Sequence, residues 1–171
     1  IYTLSLHDAL PILVILDATV RLLNKNRVAQ VGNPTNLDYH LKASVVWANE
    51  VKTGRYFPFI PAPRLSQSLE YNKTHRNSLL SRMSASIGHT FVAKQTRFEP
   101  SQELVPTTPD AYHLFEASIG GTLDIGKRQT LDIRLSAENL FNTEYKEYTN
   151  RFRYYAHDLG RNVFVRLFYN F

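Results

Sequence analysis

The chain has 171 residues, 43% of them hydrophobic, and its 20 Lys and Arg outnumber its 15 Asp and Glu to give a formal charge of +5. The basic residues are scattered, so we interpret this charge as solvated loops and expect no nucleic-acid partner. The absence of cysteine excludes disulfide frameworks, thiolate catalysis and Cys-based zinc sites.

The amino-terminal segment differs in character from the rest. Its most apolar window, Ala9–Leu16 (ALPILVIL), is shorter than the about 20 residues of a membrane-spanning helix and lacks the features of a secretory signal. Thr3–Ile12 (TLSLHDALPI) looks like the conceptual translation of a sequencing adapter. We therefore interpret residues 1–12 as an artefact, give no meaning to His7 and Asp8, and expect the natural chain to continue upstream of about residue 13. The alternative is that this stretch is the genuine start of an apolar strand.

Apolar and polar residues alternate along most of residues 13–171, which is the pattern of β-strands with two different faces. In Thr130–Glu138, for example, Leu131 and Ile133 alternate with Asp132 and Arg134. In chain order the predicted strands are a partial strand before Val31, then Leu37–Trp47, Arg64–Tyr71, Leu80–Ala93, Phe115–Ile125, Thr130–Glu138 and Gly160–Phe171. The sequence thus predicts an antiparallel all-β fold of six to seven strands.

Short and long connections alternate between these strands. The short ones are VGNPTN (residues 31–36), NKTHRN (72–77) and GKRQ (126–129), and the long ones cover residues 50–63, 95–111 and 139–158. Outer-membrane barrels have short periplasmic turns and long external loops, whereas a soluble sandwich has no reason to keep all its long loops at one end. The alternation therefore favours a transmembrane β-barrel whose last strand descends to the periplasm.

The last strand carries a further signal. Val163, Val165 and Phe171 fall on one face with Leu167 and Tyr169, while Phe164 and Phe168 fall on the other with Arg166. With Asp158 and Gly160 just upstream, Val163, Val165 and Phe171 resemble the carboxy-terminal signal that the barrel assembly machinery of Gram-negative bacteria recognises. The alternative is an ordinary terminal strand of a soluble sheet. Phe164 and Phe168 would face the barrel lumen, where we expect them to contact a plug.

The final third, Leu131–Phe171, is similar to the carboxy-terminal barrel of TonB-dependent outer-membrane receptors. The motifs are NLFNTEY (Asn139–Tyr145), an Arg- and Tyr-rich loop (Tyr148–Tyr155), GRNV leading to a final Phe, and FPFIPAPRL (Phe57–Leu65). The similarity covers about residues 28–171. It implies that residues 13–171 are the carboxy-terminal part of a plugged barrel of roughly 22 strands, with the plug and the TonB box upstream of this sequence.

The same resemblance implies the function. TonB-dependent receptors import a scarce nutrient across the Gram-negative outer membrane, here a ferric siderophore or another small iron chelate. The TonB energy-coupling complex would act through the missing amino-terminal region, and membrane lipid would surround the barrel. Two alternatives remain at this point: a small porin-like or adhesin-like barrel without a plug, and a soluble all-β binding protein.

Nothing in the sequence indicates an enzyme. The five histidines of the interpreted chain (His40, His75, His89, His113 and His157) have no metal-ligand spacing, and no nucleotide-binding or nucleophile motif occurs. Asp132 and Glu138 share a face but lie about 20 Å apart along an extended strand, too far for paired-carboxylate catalysis. We expect no catalytic residue, no metal site and no cofactor.

The loop Tyr145–Asp158 contains the best candidates for ligand binding. Arg151 and Arg153 offer planar donors for anionic oxygens, and the rings of Tyr148, Tyr154 and Tyr155 can stack on a flat ligand. These five residues are our predicted contacts for an anionic, aromatic iron chelate. The alternatives are a loop that packs on its own aromatics and on lipopolysaccharide, and a single-stranded nucleic-acid binder, which lacks any supporting motif here.

Overall fold

The computed structural model describes residues 9–24, 34–75, 78–126 and 128–171. Several features interpreted above, namely His7, Asp8, Lys127 and parts of the VGNPTN and NKTHRN turns, lie outside these residues. The described strands are β1 (Ala9–Asn24), β2 (Thr35–Glu50), β3 (Arg64–Thr74), β4 (Leu80–Val92), β5 (Tyr112–Asp124), β6 (Thr130–Glu138) and β7 (Asn162–Asn170). Two short 3-10 helices, Pro100–Gln102 and Arg151–Tyr154, lie in the connections.

The strands form one antiparallel sheet of seven strands in the order in which they occur along the chain. This confirms the prediction of an all-β antiparallel fold. The predicted β6 has the observed bounds, and the partial strand expected before Val31 is the 16-residue β1. The sheet is open, because β1 and β7 form its two edges and are not paired with each other in the described part of the chain.

Strand register gives the sheet two chemically different faces, because residues directly opposite each other in an antiparallel pair point to the same side. Ile133 of β6 lies opposite Leu167, and Leu135 lies opposite Val165. We call this side the apolar face. Asp132 and Arg134 lie on the opposite side, the polar face, together with their partners in β7, Phe168 and Arg166. Phe164 lies on the polar face too, and the Arg166 guanidinium is 4.6 Å from the centre of its ring.

Burial is distributed in an unusual way between these faces. Large side chains of the apolar face remain open to solvent: Ile87 is 54% exposed, Ile119 57% and Leu167 63%. The buried hydrophobic residues of the described chain are Ala48, Ala62, Val92, Tyr112 and Tyr148, and by register or by their position in loops none of them lies on the apolar face. The described chain therefore places its small core at the other side of the sheet, near one end.

None of the helices in the described ranges is long and apolar enough to cross a membrane.

Candidate functional site

The three long connections leave the sheet at the same end, because they join alternate pairs of strands in an antiparallel meander. We call this the loop end and its segments the first loop (residues 51–63), the second loop (93–111) and the third loop (139–161). The first and second loops are joined by Gln95, whose side chain is buried. Its Nε2 donates to the carbonyl oxygens of Ile60, at 2.7 Å, and Pro61, at 3.2 Å.

A second junction connects the second loop with the third. The Arg153 guanidinium forms an ion pair with the Glu103 carboxylate, and the two side chains are only 2% and 1% exposed. The hydroxyl groups of Tyr148 and Tyr154 also donate to this carboxylate. Together with Phe59 of the first loop, these residues form what we call the Arg153 cluster.

Aromatic rings surround the Arg153 guanidinium. Its central carbon lies 4.3 Å from the ring centre of Tyr148, 4.5 Å from that of Tyr154 and 5.9 Å from that of Phe59. Its Nε and Nη1 atoms are buried and have no hydrogen-bond partner among the described residues. Contact with the ring faces offsets part of the cost of burying these groups, since the faces of aromatic rings attract cations.

The protonation states within the cluster follow from its burial and hydrogen bonds. Burial alone would raise the pKa of Glu103, but the hydrogen bonds from Tyr148, Tyr154 and Arg153 outweigh it, and the pKa is lowered. Burial raises the pKa of Tyr148 and of Tyr154, and the neighbouring Glu103 carboxylate raises both further. The carboxylate therefore stays ionised while both phenols keep their protons.

A second polar group anchors the third loop to the ends of the strands. The Glu147 carboxylate accepts hydrogen bonds from Arg64 Nη2 of β3, at 2.6 Å, and from the Tyr112 hydroxyl of β5, at 2.9 Å. Asp158 accepts from the backbone N–H of Glu147 and from Asn150 Nδ2, both at 2.6 Å. Both ends of the loop segment between Glu147 and Asp158 are thereby held in place.

A cavity of about 400 Å³ opens on the polar face beneath the third loop. Its charged lining consists of Arg64 and of four carboxylates, those of Glu116, Glu138, Glu147 and Asp158. In the described ranges no three carboxylate or imidazole groups come together in a way that could hold a metal ion. The cavity is suited to polar or cationic groups.

The five predicted ligand contacts fall into two sets. Tyr148, Arg153 and Tyr154 are engaged with Glu103 in the Arg153 cluster. Arg151 and Tyr155 are exposed at the surface, with the Arg151 guanidinium 5.2 Å from the centre of the Phe59 ring. Ligand contact stays a prediction for all five, and the two exposed side chains are the ones that a ligand can reach directly.

The residues of the predicted assembly signal also have distinct positions. Asp158 anchors the third loop as described, Val163 and Val165 lie on the apolar face, and Phe171 is exposed. Gly160 lies against the Asn142 side chain, where a Cβ atom would come within 2.7 Å of Asn142 Oδ1. That oxygen accepts a hydrogen bond from the Arg161 backbone N–H at 2.8 Å.

The NLFNTEY motif forms a tight turn. Asn139 and Asn142 both have positive φ angles, 47° and 55°, a conformation that asparagine tolerates better than most residues. Asn139 Oδ1 accepts from the Thr143 backbone N–H at 2.8 Å, and its Nδ2 donates to the Thr143 carbonyl oxygen at the same distance. These two bonds account for asparagine at the start of the motif.

Sequence reasoning missed Glu103, Phe59 and Glu147. Glu103 is a single acidic residue in a polar loop, and no spacing or periodicity distinguishes it from its acidic neighbour Glu99. The buried partners become apparent only when the three loops are placed together.

Comparison with protein-family models, curated proteins and solved structures finds no match to this chain.

Proposed function

We propose that this chain is part of the barrel of a TonB-dependent outer-membrane receptor that imports a small iron chelate. The observation that carries the proposal is the exposed apolar face, which continues across the strands while the buried hydrophobic residues lie elsewhere. A soluble domain of this length normally buries one hydrophobic core. A strand wall in lipid has the opposite arrangement, with its apolar side outward and its polar side toward the lumen.

The loop end supports a role in ligand capture. Buried contacts join all three long loops, so the exposed side chains of Arg151 and Tyr155 are presented from an ordered support. Such preorganisation reduces the entropy lost on binding. In this proposal the loop end forms part of the external rim, and Arg151 contacts an anionic group of the chelate.

The polar face would line the lumen. Phe164 and Phe168, which are costly to expose to water in an open pore, would contact a plug domain, and the plug would be moved by the TonB complex. The carboxylate-lined cavity would then face that plug. Transport in this scheme consists of binding and gated passage, with no chemical step.

The test uses the intact protein that contains this chain, expressed in a Gram-negative host. We expect the protein in the outer-membrane fraction, with the third loop accessible to a protease added to whole cells. We also expect uptake of a radioactive ferric siderophore to require the host TonB. Recovery as a monodisperse protein in buffer without detergent would contradict the membrane assignment, and TonB-independent uptake would contradict the receptor class.

A further inference from the structure

A series of hydrogen-bonded polar side chains crosses the apolar face from Tyr39 of β2 and reaches the loop end at His113 of β5. The Tyr39 hydroxyl donates to Gln67 Oε1 at 2.9 Å, Gln67 Nε2 lies 3.1 Å from His89 Nδ1, and His89 Nε2 lies 2.9 Å from His113 Nδ1. The four residues belong to four consecutive strands, β2 to β5, and register places them on the apolar face. Polar groups on such a face are costly unless they are paired.

The donors and acceptors of these hydrogen bonds run in one direction, from Tyr39 to His113. Because the Gln67 oxygen accepts from Tyr39, its Nε2 donates to His89 Nδ1. A neutral His89 then carries its proton on Nε2 and donates it to His113 Nδ1. A neutral His113 in turn carries its proton on Nε2, for which no described residue provides an acceptor. The series of hydrogen bonds therefore ends at His113, whose exposed side chain has an unused N–H donor.

An apolar groove of about 210 Å³ lies beside these hydrogen-bonded side chains. Its lining includes Tyr39, Leu69, Ile87 and Phe115, together with Gln67 and His89. His113 follows directly after Tyr112, the first residue of β5 at the loop end. Leu69 and Ile87 lie opposite each other and level with Ala117, which is four residues farther along β5 toward the centre of the sheet. Four residues of an extended strand correspond to about 13 Å. The donor thus lies near the loop end and the groove extends toward the middle of the face.

A polar donor at the edge and an apolar groove toward the centre match the two parts of an amphiphile. We propose that this face binds one phosphorylated lipid, whose acyl chain lies in the groove and whose phosphate oxygen accepts a hydrogen bond from His113 Nε2. The proposal rests on the membrane location proposed above: with the loop end at the external rim, the adjoining strand ends lie at headgroup level. The imidazole rings of His89 and His113 are nearly parallel, with centres 5.2 Å apart, and the 2.9 Å hydrogen bond between them holds the donor in position.

The experiment measures lipid retention by native mass spectrometry after the intact protein is released from vesicles of phosphatidylglycerol and phosphatidylethanolamine. We expect one tightly retained phospholipid. His113→Phe should weaken retention about tenfold, as expected for loss of a hydrogen bond to a charged group. Gln67→Leu, which removes the donor that fixes the tautomer of His89, should weaken retention as well. Ile87→Trp, which fills the groove and leaves the polar chain intact, should weaken it as well. His157→Phe, in an exposed part of the third loop, is the matched control and should retain lipid normally.

Three further results would overturn the lipid site. Equal retention of diacylglycerol, which has no phosphate, would remove the role of His113. Binding of inorganic phosphate as tight as that of phosphatidylglycerol would indicate an anion site without an acyl contact. Unchanged retention in His113→Phe would exclude the donor. Failure of the unaltered protein to enter vesicles would instead contradict the proposed membrane location, whereas variants that insert normally but differ in retention concern this site alone.

Discussion

Arg153 and Glu103 are 50 positions apart in the sequence, yet they form an ion pair whose two side chains are almost completely buried. Burying two charges is costly, and such a pair contributes little net stability compared with apolar residues of the same shape. Removal of one partner is much more harmful, since the other charge is left buried and unpaired. The pair therefore specifies how the second and third loops fit together.

Glu103→Gln should loosen the loop end. The substitution keeps the shape of the side chain but leaves the Arg153 charge without its counterion, which costs about 3–5 kcal/mol. Hydrogen exchange should show faster exchange of the third-loop amides with little change in β6. Arg151→Met is the matched control, since Arg151 is exposed, and its effect should stay within about 0.5 kcal/mol. Equal protection in both variants would rule out a role for the buried pair.

Acid should loosen the loop end of the unaltered protein, as Glu103→Gln does. The pKa of Glu103 is lowered in the folded state, so the stabilisation from its ionised form is complete above the ordinary glutamate value of about 4.3 and is lost as the pH falls through the lowered value. Exchange of the third-loop amides, corrected for the intrinsic effect of pH, should accelerate in that range. The Glu103→Gln variant should show no such acceleration, and a matching pH response in that variant would assign it to another group.

Arg151→Ala should weaken ligand binding without affecting stability. Arg151 is exposed beside Phe59, and loss of a charge-assisted hydrogen bond to an anionic chelate corresponds to about a tenfold rise in Kd. The melting temperature should not change. Lys94→Ala, which removes an exposed charge from the second loop, is the control. Unchanged affinity and uptake in Arg151→Ala would exclude this residue as a ligand contact.

The two faces of β6 should tolerate charge differently. Leu135 lies on the apolar face and Ser136, the next residue, lies on the polar face. If the apolar face meets lipid, Leu135→Lys should lower the stability of the intact protein in bilayers by about 2–4 kcal/mol, and Ser136→Lys should have a much smaller effect. Urea titration in phospholipid vesicles measures both. Similar losses in the two variants would contradict this orientation of the sheet.

Gly160→Ala should destabilise the turn before β7. The new Cβ would come within 2.7 Å of Asn142 Oδ1 and displace the oxygen that accepts from Arg161 N–H. Loss of this hydrogen bond costs about 1 kcal/mol. A second substitution, Asn142→Gly, removes the obstructing side chain and suits the positive φ of that position. Gly160→Ala should therefore cost less in the Asn142→Gly background than alone, and strictly additive effects would count against the contact.

The strands were predictable to the extent that their signal is local. Alternation along β6 gave its bounds and placed Asp132 and Leu135 on opposite faces, because successive side chains of an extended chain point to opposite sides. β5 begins at Tyr112, before the predicted Phe115, since Tyr112 and His113 pair with Val92 and Phe91. Pairing of this kind depends on the neighbouring strand, which alternation within one segment does not contain.

The burial of the loop residues, in contrast, could not be predicted from local sequence. The third loop was recognised from its Arg and Tyr content, but composition could not separate the buried Arg153 from the exposed Arg151 two positions away. That difference depends on Glu103 and Phe59, which come from the other two loops.

The sequence by itself determined that the described chain is an antiparallel all-β sheet whose strands β2 to β7 have one mainly apolar and one mainly polar face, since a side-chain period of two follows from the geometry of each strand alone. Only the tertiary structure decided which loop residues are buried together, which remain exposed, and that the polar groups of Tyr39, Gln67, His89 and His113 join across four strands. These contacts connect residues far apart in the chain, and their energies depend on burial and hydrogen-bond geometry that exist only after the strands have paired.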